Sequence, residues 1–179
     1  SLKNNIFLIS LSFATLFLTG CTDDSDLIQP QINKIIAYLD RQVTSNPDSE
    51  YTIHDGVYRY NWGSTLPDNE QTPDLEVVEK GDSVYIYFAS YVFASEPEKV
   101  PYFTNMAHII ERDELPLSWD TDPLGLKVGD GKVLMSNVEN AMTGCVRGDS
   151  VSFFLPSNIA YGKKTNGTIQ VNNVIEFRI

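Results

Sequence analysis

The stretch Leu155-Pro156-Ser157-Asn158-Ile159-Ala160-Tyr161-Gly162 decides how the chain folds. It sets an aromatic residue just past the end of a strand, on a turn closed by glycine. Upstream, Val151, Phe153 and Leu155 alternate with Ser152 and Phe154, so three apolar side chains share one strand face. Downstream, Ile175, Phe177 and Ile179 alternate with Glu176 and Arg178, the period-two pattern of a strand with one buried face. A tyrosine held between two such strands projects over the end of their sheet, where a small apolar pocket can form.

Working outward, Ser136-Asn137-Val138-Glu139 has the form of a capping box, which satisfies orphan amides at a helix start. It predicts a short helix burying Val138, Ala141, Met142 and Cys145, ended by Gly144 or Gly148. Glu79-Lys80-Gly81-Asp82 reads as a turn feeding a long strand over 83–93. Gly81-Asp82-Ser83-Val84 recurs as Gly148-Asp149-Ser150-Val151, the same turn-to-strand entry used twice rather than a true repeat. Residues 103–131 are rich in proline, glycine and aspartate without a strong period and read as a long loop. The order strand, loop, helix, strand, tyrosine turn, strand implies an α+β fold, a curved antiparallel sheet wrapped on one short helix.

Residues 27–43 place Ile28, Ile32, Ile35, Ile36, Leu39 and Val43 on one helical stripe, with Pro30 tolerable only in a first turn. Asn46-Pro47-Asp48-Ser49 ends that helix, 56–63 reads as a strand, and 64–73 as a polar loop. The strand alternates Tyr58, Tyr60 and Trp62 with Val57, Arg59 and Asn61. Segment 27–73 is thus an extension packed on a main domain of 74–179. The isoleucine stripe must be buried somewhere, on that domain or in a dimer; a monomer is expected.

The amino terminus carries Lys3, then an apolar run over 6–18 that is too short for a bilayer, which needs about 20 residues. Leu18-Thr19-Gly20-Cys21 follows, small residues before a cysteine, as at a cleaved secretory signal. These residues resemble the lipobox of bacterial lipoproteins, implying a signal peptide over 1–20 and lipid on Cys21. The acidic run that follows, within a tether over 21–26, is similar to the signal that some Gram-negative anaerobes use for outward display. An outer-membrane envelope location is expected, facing outward more readily than into the periplasm.

The chain holds 13 lysines and arginines against 24 acids, a net charge of −11. Loss of 1–20 removes only Lys3 and leaves a net −12 on 159 residues, enough for one domain with a core. Nothing so acidic replaces phosphate counterions, so nucleic acid is not an expected partner. With Cys21 lipidated, Cys145 has no partner and reads as a buried, inert thiol.

Conventional catalysis finds little support. His54 and His108 stand in no cysteine or serine context that suggests a nucleophile. Asp120-Thr121-Asp122-Pro123-Leu124-Gly125 mimics the start of a calcium loop but has Leu124 at its fifth position and Gly131 where a bidentate glutamate belongs, so it reads as a turn. No metal or other cofactor is expected. An apolar aromatic pocket remains, and rotation of an X–Pro bond needs little else, because a dry site that favours the twisted amide acts by differential binding.

From about Gly81 to the last residue, and most clearly over 134–162, the chain resembles the FKBP-type peptidyl-prolyl isomerases. The resemblance rests on the helix, the Pro-Ser-x-x-Ala-Tyr-Gly turn and the final strand. It implies that Phe103, Tyr161 and Phe177 line a proline pocket as its catalytic residues. Phe88 takes the place of a family tyrosine, and Thr104 that of the aspartate in a Phe-Asp pair. Leu134 and Met135 stand for a Val-Ile pair, with the Met135 amide facing a substrate carbonyl. Val138 replaces the tryptophan that floors the pocket, and Trp119 is a candidate to fill that space. The implied partners are proline-containing polypeptides. The alternative is a non-catalytic binding module that presents its 103–131 loop to a peptide or surface.

Overall fold

The computed structural model describes residues 24–71 and 75–179. The expected signal peptide, Cys21 and Asp74 lie outside the described residues.

Period-two alternation makes β7 (Asp149–Leu155) and β8 (Val174–Arg178) antiparallel neighbours, with Phe153 opposite Phe177. Four more strands extend them, β1 (Tyr51–His54) and β2 (Val57–Ser64) beside β7, and β4 (Ala89–Phe93) and β5 (Phe103–Thr104) beside β8. The sheet order is β1-β2-β7-β8-β4-β5, antiparallel throughout. A separate ribbon pairs β3 (Ser83–Ile86) with β6 (Leu124–Lys127). Two short helices, α2 (Ala107–Arg112) and α3 (Ser136–Ala141), complete the carboxyl-terminal part. The fold is therefore the α+β arrangement expected, with a curved sheet on a short helix.

Several local expectations are corrected. The strand over 83–93 is broken, because β3 leaves to pair with β6 while β4 stays in the main sheet. Buried Asn105 fills the break: its Oδ1 accepts the Phe88 amide (2.7 Å) and its Nδ2 donates to the carbonyls of Ile86 (3.1 Å) and Asp122 (2.9 Å). The 103–131 region is not a bare loop, since it contains β5, α2 and β6. Met135, not Ser136, is the N-cap of α3 and its side chain makes no capping bond, while Asn137 Oδ1 accepts the Val138 amide (3.0 Å). Glu139 is fully buried and instead turns back, accepting the Gly131 amide (2.7 Å) and the Leu134 amide (3.1 Å).

The amino-terminal helix α1 (Asp24–Ser45) starts earlier than the apolar stripe, so Pro30 lies inside it. An internal proline lacks the amide that would bond one turn back and costs about 3 kcal/mol. Packing offsets that cost. Ile35, Tyr38 and Leu39 are buried against Tyr58, Tyr60, Phe93, Phe154 and Val174 on the outer face of the sheet. Ile32, Ile36 and Val43 of the stripe are half-buried against the same cluster.

With α1 in place β8 is buried on both faces, and Glu176 has no exposure. Its Oε1 accepts from Ser152 (2.6 Å) and from Arg178 Nη2 (2.7 Å). Arg178 in turn sits over the rings of Trp62 (5.3 Å) and Tyr91 (5.5 Å). The opposite face of the sheet, with α3 across it, buries Val57, Val138, Met142, Val151, Phe153 and Phe177.

Candidate functional site

Register puts Phe153, Phe177, Ser90 and Phe103 in one row across β7, β8, β4 and β5. Ser90 is the small member, set between two phenyl rings, and leaves a hollow on the inner face. Val138 on α3 leaves the other side equally unfilled. The result is a cavity of about 700 Å³.

Its walls are aromatic. Phe88 stacks on Phe177 at 4.8 Å and 22°, and lies 5.6 Å from Phe103. Tyr161 enters from the turn that follows β7. Pro156 begins that turn, Ser157–Ile159 form one turn of 3₁₀ helix, and the Gly162 amide donates to the Ser157 carbonyl (2.7 Å). Gly162 has φ +60, which an L side chain adopts only with strain. Asn137 on α3 ties the turn down by donating to the Ile159 carbonyl (3.0 Å).

The polar groups are few. The hydroxyls of Tyr161 and Tyr102 meet at 3.5 Å, and Tyr102 also bonds to Ser90. Burial, and then the bond to Tyr161, push the Tyr102 phenol well above its ordinary range, so it stays neutral. The Met135 amide donates to no group among the described residues, and Met135 lines the cavity. None of the lining residues is an acid, a cationic side chain, a histidine or a cysteine. Such a site can bind an apolar ring and donate hydrogen bonds, and its hydroxyls, on Ser90, Tyr102, Tyr161 and Thr168, have no carboxylate, histidine or amine among the lining residues to activate them.

Seven of the expected residues meet here: Phe88, Phe103, Leu134, Met135, Val138, Tyr161 and Phe177. Thr104 does not line the cavity. Fully buried, it donates its hydroxyl to the Phe88 carbonyl (2.7 Å) and accepts the Met106 amide (3.0 Å). Trp119 is 5.0 Å from Phe103 yet outside the lining, so it backs the wall instead of filling the hollow. Sequence reasoning missed Ser90, Tyr102, Val133 and the 166–169 segment. The first two had a signal, since Ser90 alternates with Phe88 and Tyr102 precedes Phe103; the last had none.

Neither His54 nor Cys145 faces this cavity. Burial lowers the His54 pKa and pushes the Cys145 thiol up to about 11, away from reactive thiolate. A second hollow, of about 790 Å³, opens near Asp48, Arg59 and Trp62 and contains none of the expected site residues.

No family model matches the sequence, and no curated protein matches it. Solved structures do. The chain is similar to FkpA from Escherichia coli, with a TM-score of 0.51 and 10% identity over 87% of this chain and 59% of that one. The fold is FKBP-like. The N-terminal domain of FKBP42 from Arabidopsis thaliana gives a TM-score of 0.47 and 12% identity, covering 73% of this chain and 88% of that one. The three FKBP domains of wheat FKBP73 give 0.48 and 13%, covering 73% and 46%. This chain therefore spans less than two thirds of the wheat and bacterial proteins. At these identities the likeness concerns the fold alone.

Proposed function

We propose that this chain catalyses cis–trans isomerisation of X–Pro bonds in polypeptides of the cell envelope, held at the outer membrane through lipid on Cys21. The observation that carries the enzymatic part is the open aromatic cavity, which brings Phe103, Tyr161 and Phe177 together without any acid or base. The lipid and the location rest on the Leu-Thr-Gly-Cys pattern.

Rotation about an X–Pro bond is opposed by a barrier of about 18–20 kcal/mol, because the planar amide is stabilised by resonance. Twisting returns electron density to the nitrogen and weakens the double-bond character. Phe88 and Phe177 receive the prolyl ring over Val138 and strip it of water. The Met135 amide and the Tyr161 hydroxyl donate to substrate carbonyls and hold the chain on both sides of the twisting bond. Each factor of ten requires about 1.4 kcal/mol more binding to the twisted than to the planar amide.

A second reading, a binding module that holds proline-containing segments without turnover, is favoured by one observation. Thr104 spends its hydroxyl on Phe88 and Met106, so the cavity offers no carboxylate near the twisting nitrogen. A proline-limited refolding assay with the Cys21→Ser chain separates the two. Acceleration that saturates with enzyme supports the isomerase. Peptide binding at the cavity with refolding no faster than in buffer supports the module.

A further inference from the structure

Across the mouth of the cavity from α3 runs the connection between β7 and β8, whose Tyr161 and residues 166–169 form part of the lining. That wall is a loop, and loops move unless they are tied. Both ends of this one are tied to a single side chain from outside the inner face. Gln31 on α1 is 8% exposed. Its Oε1 accepts the buried Ser157 amide (2.8 Å), and its Nε2 donates to the Asn172 carbonyl (2.9 Å). The Asn172 amide donates to the Gly162 carbonyl (2.8 Å), and the Gly162 amide to the Ser157 carbonyl (2.7 Å). The four residues close a ring of hydrogen bonds, and Tyr161 is the next residue to one of its members.

We infer that Gln31 is a positioning residue for the pocket, its carboxamide setting where Tyr161 and the 166–169 segment stand over the sheet. Only a side chain with an acceptor and a donor on one short planar group can serve both Ser157 N–H and Asn172 C=O. A hydrocarbon in its place leaves the Ser157 amide buried and unpaired and takes the donor from the half-buried Asn172 carbonyl, which favours opening of the loop. Helix α1 thus has two roles, covering the outer face through Ile35, Tyr38 and Leu39 and holding the inner-face loop through Gln31. The inference builds on the reading of this cavity as the peptide site, but its test does not depend on turnover.

Amide hydrogen exchange on the full chain supplies that test. In the unsubstituted protein the Ser157 amide should exchange as slowly as the amides of β7. Gln31→Met keeps the bulk and removes both bonds; exchange at Ser157, Gly162 and Asn172 should rise roughly tenfold or more while β7 stays protected. The same variant should weaken binding of a proline-containing tetrapeptide, seen as a raised KM with a smaller change in kcat. Leu39→Ala, which opens a cavity under α1 without touching the loop, should lower Tm without selective exposure of those three amides. Exchange of Ser157 at an open-loop rate in the unsubstituted chain would overturn the inference. So would a Gln31→Met profile that rises evenly along the chain, as for Leu39→Ala. If the protein proves to have no isomerase activity, the exchange pattern still decides the role of Gln31.

Discussion

Alternate residues of the same strands build the two faces of the six-stranded sheet, yet one face is sealed and the other hollow. On the outer face Phe93 meets Tyr38 and Phe154 edge to ring at 5.4 and 5.3 Å, Tyr38 lies tilted 5.5 Å from Phe154, and no exposure remains at Phe154. On the inner face the row Phe177, Ser90, Phe103 interposes one small residue between two rings, and Val138 stands where a larger side chain would close the gap. Both faces are aromatic. The hollow therefore comes from where the small residues fall and not from any shortage of apolar groups, as expected if space has been kept for a ligand.

Substitutions on the two faces should separate stability from binding. Phe154→Ala, at the centre of the sealed face, should cost about 3–5 kcal/mol of stability by urea denaturation. Peptide affinity of the fraction that remains folded should be little changed. Ser90→Leu, filling the hollow, should abolish proline-peptide binding while costing only about 1–3 kcal/mol by overpacking. Equal losses of stability and binding in both variants would break the comparison.

Phe103→Ala sharpens it further. The ring is partly exposed and leans on Phe88 and Trp119, so its loss should cost about 1 kcal/mol of stability. The fall in kcat/KM should be about tenfold, read in a protease-coupled assay. The smallest effect concerns pH. With no acid, histidine or cysteine in the lining, kcat/KM should be flat from about pH 6 to 9. Stability should fall above about pH 10, because the unfolded chain then releases the Tyr102 proton that the fold retains, so stability drops as pH rises. Tyr38, Tyr58 and Tyr91, also raised by burial, act in the same sense. Thermal melts between pH 8 and 11 check the sign.

What the sequence disclosed follows the same division. The inner face was legible, because β7, β8 and α3 show clean alternation or helical spacing and their pocket residues fall on it. The outer face was legible only in part. The alternation in β8 implied one solvated face, but α1 buries Glu176, and no local pattern announces a helix folded back from more than a hundred residues away. The hairpin joining β1 and β2 had a signal that went unused: Asp55-Gly56 takes φ 49 and 82, the two-residue turn that this dipeptide favours. The break between β3 and β4 was hidden because its cause, Asn105, lies on another segment. Gln31 and Ser157 are 126 positions apart, a pairing that side-chain chemistry alone does not reveal.

The central claim is that the hollow binds a prolyl ring and lowers its barrier to rotation. Two-dimensional exchange NMR on an X–Pro tetrapeptide, with and without the Cys21→Ser chain, reads this most directly. Catalysed cis–trans exchange that vanishes in Ser90→Leu, with shifts at Phe103, Tyr161 and Phe177 on peptide addition, is the predicted result. Exchange unaltered by the protein, with those three residues unmoved, would contradict it.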